Sequence, residues 1–399
     1  MKAVLAAALM ALPACVLAQQ KPPIAQYWMS VETSAGMSIP GMGGMAGIMA
    51  GMAGGQQQQS GRKLGLQLAS QRPADAPSAA HDIPTGMNMG PSLPLLTPRA
   101  ASSPERTERD MPEGMERPKG RMLIYWGCGE AVRAGQPVVI DFARMSQGQM
   151  PSGFVSRRVA AGAPPSGRTT GLWPNQQDSK AVPDSASLTG DHSIRGNYTP
   201  DIRFALGNGQ DFMERVELSP SLSGSGAAAV RWNALNTATG YFATVFGSDG
   251  NDTIFWSSSD VQESGGMLMD YVPPAEVARL IREKVVMPAQ TTECSVPAEV
   301  VKKSGTPFLN FIAYGPEANF AQPPRPQDPQ WAVKVRFKST ASTLLGDMGD
   351  SRGRRAQRAE PSRTPSGAAP ADPAAQPAQP AAPDPVKDGI NILRGIFGR

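Results

Sequence analysis

The sequence predicts a mainly β protein, built as two antiparallel β-sandwich-like regions with one inserted helix, long disordered linkers and a C-terminal amphipathic helix. Three observations lead there. Short apolar runs, several alternating strictly with polar residues, recur between Gly, Pro, Asn and Ser turns, which is the pattern of strands. Outside the Gly/Met-rich stretch at 36–55, helical spacing is confined to 274–286 and 386–399. Glycine (42) and proline (39) make up about a fifth of the 399 residues, and aromatics only 6%, so part of the length lacks material for a core.

The first element is an export signal. Met1-Lys2 is a positive start, 3–14 is an uncharged Ala/Leu/Val/Met run broken by Pro13, and Val16-Leu17-Ala18 supplies small residues for cleavage, the three-part layout of a secretory signal peptide at 1–18. The run is too short to span a bilayer. A competing reading takes Leu12-Pro13-Ala14-Cys15 as a lipobox with Cys15 lipidated. Both place the mature chain in the periplasm or outside the cell, with an outer-membrane association open to it. The whole chain resembles uncharacterised exported proteins of Gram-negative bacteria, and no activity follows from that resemblance.

N-terminal strands are expected within 24–70, at 27–31 and 64–68, flanking a Gly/Met-rich insertion at 36–55. From Thr33 to Gly61 there is no charge, and Gly43, Gly47, Gly51 and Gly55 recur every fourth residue. That small-xxx-small spacing suits close helix approach and self-association. Met42, Met45, Met49 and Met52 would share one helical face, and soft thioethers suit Cu(I). The same stretch also reads as a flexible loop between strands 27–32 and 64–68.

Residues 71–120, rich in Pro, Ser and alternating charge, read as a disordered linker that contains His81. A β-rich region at 121–209 opens with a hairpin of 122–126 and 138–142. The domain at 210–345 holds strands near Trp232, Tyr241, Ile254, Phe308 and Trp331, with a helix from Pro274 to Val286. Within it, Trp232-Asn233-Ala234, Ala238 and Tyr241 are spaced as in the B-to-C passage of fibronectin type III modules, which this domain resembles. The resemblance implies a sandwich in which Trp232 packs near Tyr241. The helix departs from that family's pattern. Residues 347–385 are an Arg-rich then Ala/Pro-rich spacer. Val386, Ile390, Leu393 and Phe397 form the apolar stripe of a terminal helix, expected to dock on an envelope protein or membrane surface.

Chemistry-bearing motifs are sparse. Of three cysteines, export and cleavage leave Cys128 and Cys294, expected as a disulfide in an oxidising compartment. The only histidines are His81 and His192, and Asp191-His192-Ser193 reads as an exposed polar loop, because neighbours on an extended chain face opposite ways. No zincin, nucleophile-elbow or paired-cysteine motif occurs. Gly127-Cys128-Gly129 lacks the rest of a dinucleotide fingerprint. A net charge of +4 without a basic motif argues against nucleic acid. Trp126 and Trp173 are candidates for stacking sugar rings. The sequence therefore leads to a non-catalytic, exported, envelope-associated binding or scaffolding protein with no cofactor. A periplasmic glycan- or copper-binding module is the second reading, and an enzyme of unrecognised type the third.

Overall fold

In the computed structural model, which describes residues 22–38, 60–98, 120–142, 153–160, 162–264, 266–323 and 330–346, strand β1 (Ala25–Ser38) sets the pattern. Its Tyr27, Met29 and Val31 are buried, while Trp28, Ser30 and Glu32 between them are half-buried on the other face, as a period of two requires. The fold is mainly β. Nine strands run side by side in the order β6 (Val138–Asp141), β5 (Arg121–Trp126), β13 (Asp252–Ser257), β12 (Gly240–Ser248), β16 (Phe308–Gln322), β17 (Trp331–Leu344), β1, β2 (Gly61–Ser70) and β7 (Thr169–Trp173); a tenth, β14 (Met287–Pro288), pairs with β12. Both sequence regions, 121–209 and 210–345, contribute strands to this sheet. The β1–β17 and β5–β13 pairings are parallel and the others antiparallel.

Two smaller antiparallel sheets share a hydrophobic core with one face of the large one. They are β4 (Ser92–Leu95), β3 (Ala79–Asp82), β8 (Gly190–Gly196) and β9 (Ile202–Leu206), and separately β10 (Leu218–Leu222), β11 (Ala228–Trp232) and β15 (Glu293–Val296). The other face has two apolar covers. Val277 and Leu280 of α1 (Pro274–Arg282) lie against Phe242, Ile312 and Tyr314, and Phe142 and Ile140 pack with Met122, Ile124 and Phe255. Helix α1 starts where Pro274 sits at its first turn and has stopped before Lys284, whose φ is 60°. A second, shorter helix, α2 (Ala298–Lys303), was not legible in the sequence.

Several expectations are met in detail. Strands β5 and β6 form the expected hairpin, with Ile124 opposite Val138. Trp232 and Tyr241 are buried, their ring centroids 5.5 Å apart, with Phe311 4.7 Å from Trp232. Cys128 and Cys294 are joined, their Cα atoms 5.2 Å apart, tying the segment after β5 to β15 and so the large sheet to a small one.

Two expectations are corrected. The linker at 71–120 is not linker throughout: it contains β3 and β4, because Ala79, His81, Ile83, Leu93 and Leu95 all turn into the core. Asp191-His192-Ser193 is not an exposed loop either. It lies in β8, with His192 only 1% exposed.

These corrections meet at one place. Leu188 carbonyl accepts from His192 Nε2 (2.7 Å), His192 Nδ1 from His81 Nε2 (2.9 Å), and His81 Nδ1 from the Tyr27 hydroxyl (2.8 Å). The carbonyl can only accept, so it fixes both tautomers and the direction of the whole chain. His192 also stacks on Phe204 at 4.9 Å. Burial, reinforced by His192, pushes His81 well below its ordinary value. Burial lowers His192 too, despite the Leu188 carbonyl and the nearby Asp191. Both are therefore neutral in the fold, and β1 is tied through them to β3 and β8.

Two predictions follow from this core. Below about pH 6.5 the unfolded chain takes up protons that the folded histidines refuse, so stability falls with acid, by up to about 1.4 kcal/mol per pH unit for each histidine. Urea unfolding at pH 7.5 and 5.5 should show that loss; equal midpoints would contradict the neutral chain. Replacing Trp232 with Ala should cost about 3–5 kcal/mol, and a loss under about 1 kcal/mol would remove Trp232 from the core.

Candidate functional site

The remaining part of the outer face, over the β1–β17 seam, is polar. Parallel register places Trp28 opposite Lys334, Ser30 opposite Arg336 and Glu32 opposite Lys338. Strand alternation puts the three cations of β17 on this face, between buried Val333, Val335 and Phe337. Strand β16 joins them through a bulge. Between Lys338 and Arg336 there is one residue, whereas their partners Tyr314 and Glu317 are separated by two. The extra residue resets the alternation, so Glu317 comes to the cationic face and lies 3.2 Å from Lys334 Nζ. Gly315 permits this close passage, since a Cβ there would meet Met213 Sδ at 2.5 Å and Phe337 carbonyl at 2.7 Å.

At the centre is Arg336. Its guanidinium carbon lies 4.8 Å from the Trp28 ring centroid and 4.3 Å from that of Tyr271, and its Nε donates to Ser30 Oγ at 2.9 Å. The lysines on either side are neutralised. Lys334 has Glu317; Lys338 has Asp270 at 3.0 Å and Glu32 at 3.5 Å. Burial pushes the Glu32 carboxyl up, but Lys338, Lys63 and a hydrogen bond from Thr340 outweigh it and hold it below its ordinary value. Among the described residues no carboxylate pairs with Arg336. It lines a small cleft with Tyr271, Pro273, Pro274, Pro316 and Glu317.

Stacking between two rings favours a guanidinium over an ammonium, because it is planar and more weakly hydrated. With its carbon over both rings and its Nε bonded to Ser30, the terminal nitrogens are the donors left for a ligand, and such a pair can receive a planar anion at two points. The site is thus suited to recognition.

The residues singled out in the sequence fall elsewhere. Trp173 is 2% exposed in the main core, where no sugar reaches its ring, which removes it as a stacking residue. Trp126 is half-buried beside the cluster of Ile124 and Ile140, and the two tryptophans lie on β5 and β7, near opposite edges of the large sheet. Met42, Met45, Met49 and Met52, and Val386, Ile390, Leu393 and Phe397, lie outside the described residues, as do residues 1–18, read in the sequence as an export signal. The seam site was partly legible: Trp331 to Phe337 alternates, so Lys334 and Arg336 had to share a face. Nothing in the sequence brings Tyr271 or Trp28 to them.

The structure defines a β-sheet protein with a stacked-arginine face. No protein-family model matches the chain, and no curated protein matches its sequence. Among the described residues no group of three His, Cys, Asp or Glu side chains is placed to hold a metal ion, and no helix is long and apolar enough to cross a membrane.

Gly315→Ala should cost about 1–3 kcal/mol, the usual penalty for overfilling a packed site, and should disturb the Glu317–Lys334 pair. Denaturant unfolding measures it; a change below about 0.5 kcal/mol would show that the bulge accommodates a side chain.

Proposed function

We propose that this is a non-catalytic, exported binding or scaffolding protein of the bacterial envelope, and that the β1–β17 face holds one of its partners. The observation that carries the reading is Arg336, stacked between Trp28 and Tyr271 with no carboxylate partner among the described residues. A guanidinium offers donors and no acceptor. Held against two rings, it is suited to recognising an anion. The signal at 1–18 supports export. The stripe of Val386, Ile390, Leu393 and Phe397, beyond its Ala/Pro-rich spacer, supports a second contact with the envelope.

Fractionation of cells expressing the full chain tests the reading. The wild type should sediment with envelopes. Arg336→Lys, and separately Leu393→Asp with Phe397→Asp, should each release part of it to the soluble fraction without lowering the melting temperature. A wild type recovered wholly in the soluble periplasm or in the cytoplasm would overturn the proposal. Release by the helix changes alone would confine the contact to the C-terminus.

A further inference from the structure

We infer that the Arg336 cleft receives the carboxylate of an acidic polysaccharide. The inference rests on the binding reading above and names the ligand of the same site. Three features of the cleft select the ligand.

The first is charge. Lys334 pairs with Glu317, Lys338 with Asp270 and Glu32, and Lys63 also with Glu32, so four cations with Arg336 face three carboxylates. Arg336, which helps hold the Asp270 carboxyl down, is the one without an ion-pair contact. Those carboxylates repel a dianion more than a monoanion. With one cation in excess, a single negative charge completes the balance, whereas the second charge of a phosphate monoester would face the carboxylates alone. The second is shape. The guanidinium carbon lies over the Trp28 and Tyr271 rings, and Ser30 holds its Nε. A ligand must arrive in the plane of the terminal nitrogens, and a carboxylate, itself planar, meets them with two parallel bonds.

The third feature is what surrounds the charge. The site is on a sheet face. Strand β1 is paired on both sides, by β2 and β17, and β17 by β1 and β16. No strand edge is offered here, so a peptide cannot add to the sheet as an extra strand. The cleft instead presents the rings of Pro273, Pro274 and Pro316, while Tyr271 is taken up by Arg336 and Lys338. Such rings suit the C–H face of a sugar, and the exposed Asn319 amide donates to Glu317, which lines the cleft, at 2.9 Å. A uronic acid unit combines both demands, a carboxylate on a ring with an apolar face.

The test is calorimetric titration of the purified full-length protein at physiological salt. Hexagalacturonate should bind, while its methyl ester, which keeps the rings and loses the charges, should bind at least about tenfold more weakly, as for loss of one bidentate charged contact. Poly-L-glutamate and dextran sulfate should both bind more weakly than hexagalacturonate. Arg336→Lys, which keeps the charge and loses the planar fork, should weaken hexagalacturonate at least about tenfold. Glu317→Gln should tighten it about threefold by removing a repelling carboxylate and freeing Lys334. If Arg336→Lys melts lower than the wild type, Glu317→Gln decides: unchanged or weaker binding overturns the inference. Equal affinity for the methyl ester overturns it as well. Tighter binding of poly-L-glutamate would reassign the cleft to an acidic protein, and tighter binding of dextran sulfate to polyanions in general. No binding of hexagalacturonate, together with envelope fractionation that still depends on Arg336, would reject the polysaccharide and leave the binding reading standing.

Discussion

Parallel pairing of β1 with β17 is the constraint on which the rest depends. It joins positions as distant as Ser30 and Arg336, 306 residues apart, through a register that runs from Ala25 opposite Trp331 to Ser38 opposite Thr343. Parallel neighbours cannot be linked by a tight turn, so every other described strand lies on the path between them. The entropy of closing so long a path grows only slowly with length. What opposes it is the core beneath the seam, where Tyr27, Met29, Val31, Val333, Val335 and Phe337 are all buried.

One register therefore serves two purposes. A slip of a single residue would exchange the faces of β17, turning Lys334, Arg336 and Lys338 into the core and Val333, Val335 and Phe337 outward. The hydrophobic term that fixes the core thus also fixes the cationic row, and the bulge at Gly315 and Pro316 supplies its carboxylate. On the inner side, the chain from Tyr27 through His81 and His192 locks the same strand to the four-stranded sheet. Two neighbouring residues of β1, Tyr27 and Trp28, thereby face two different tasks.

How much of this was legible depended on range. Alternation along Trp331 to Phe337 and along Leu64 to Leu68 is a local signal, and it marked strands correctly. The cysteine pair was legible because, beyond the segment read as an export signal, the sequence holds two cysteines, Cys128 and Cys294. The pairing of β1 with β17 was not, because no short-range pattern records which strands meet. Composition misled at 71–98: Pro73, Pro77, Pro84 and Pro91 lie outside the strands, while His81, a polar letter in a polar stretch, is 0% exposed. His192 was discounted for the same reason. Both are tolerated inside because each nitrogen has a partner. The cleft depends on Trp28, Tyr271 and Arg336 converging from three separate segments, which is a property of the fold alone.

Native-state hydrogen exchange, resolved along the chain, tests the seam most directly. If β1 and β17 form one unit, the amides of 27–33 and 333–339 should open with a single free energy, equal to that of global unfolding and highest in the protein. Exchange of 27–33 through a separate, lower-energy opening while 333–339 stays protected would contradict the account, since a strand that detaches on its own could neither close the sheet nor hold Arg336 against Trp28.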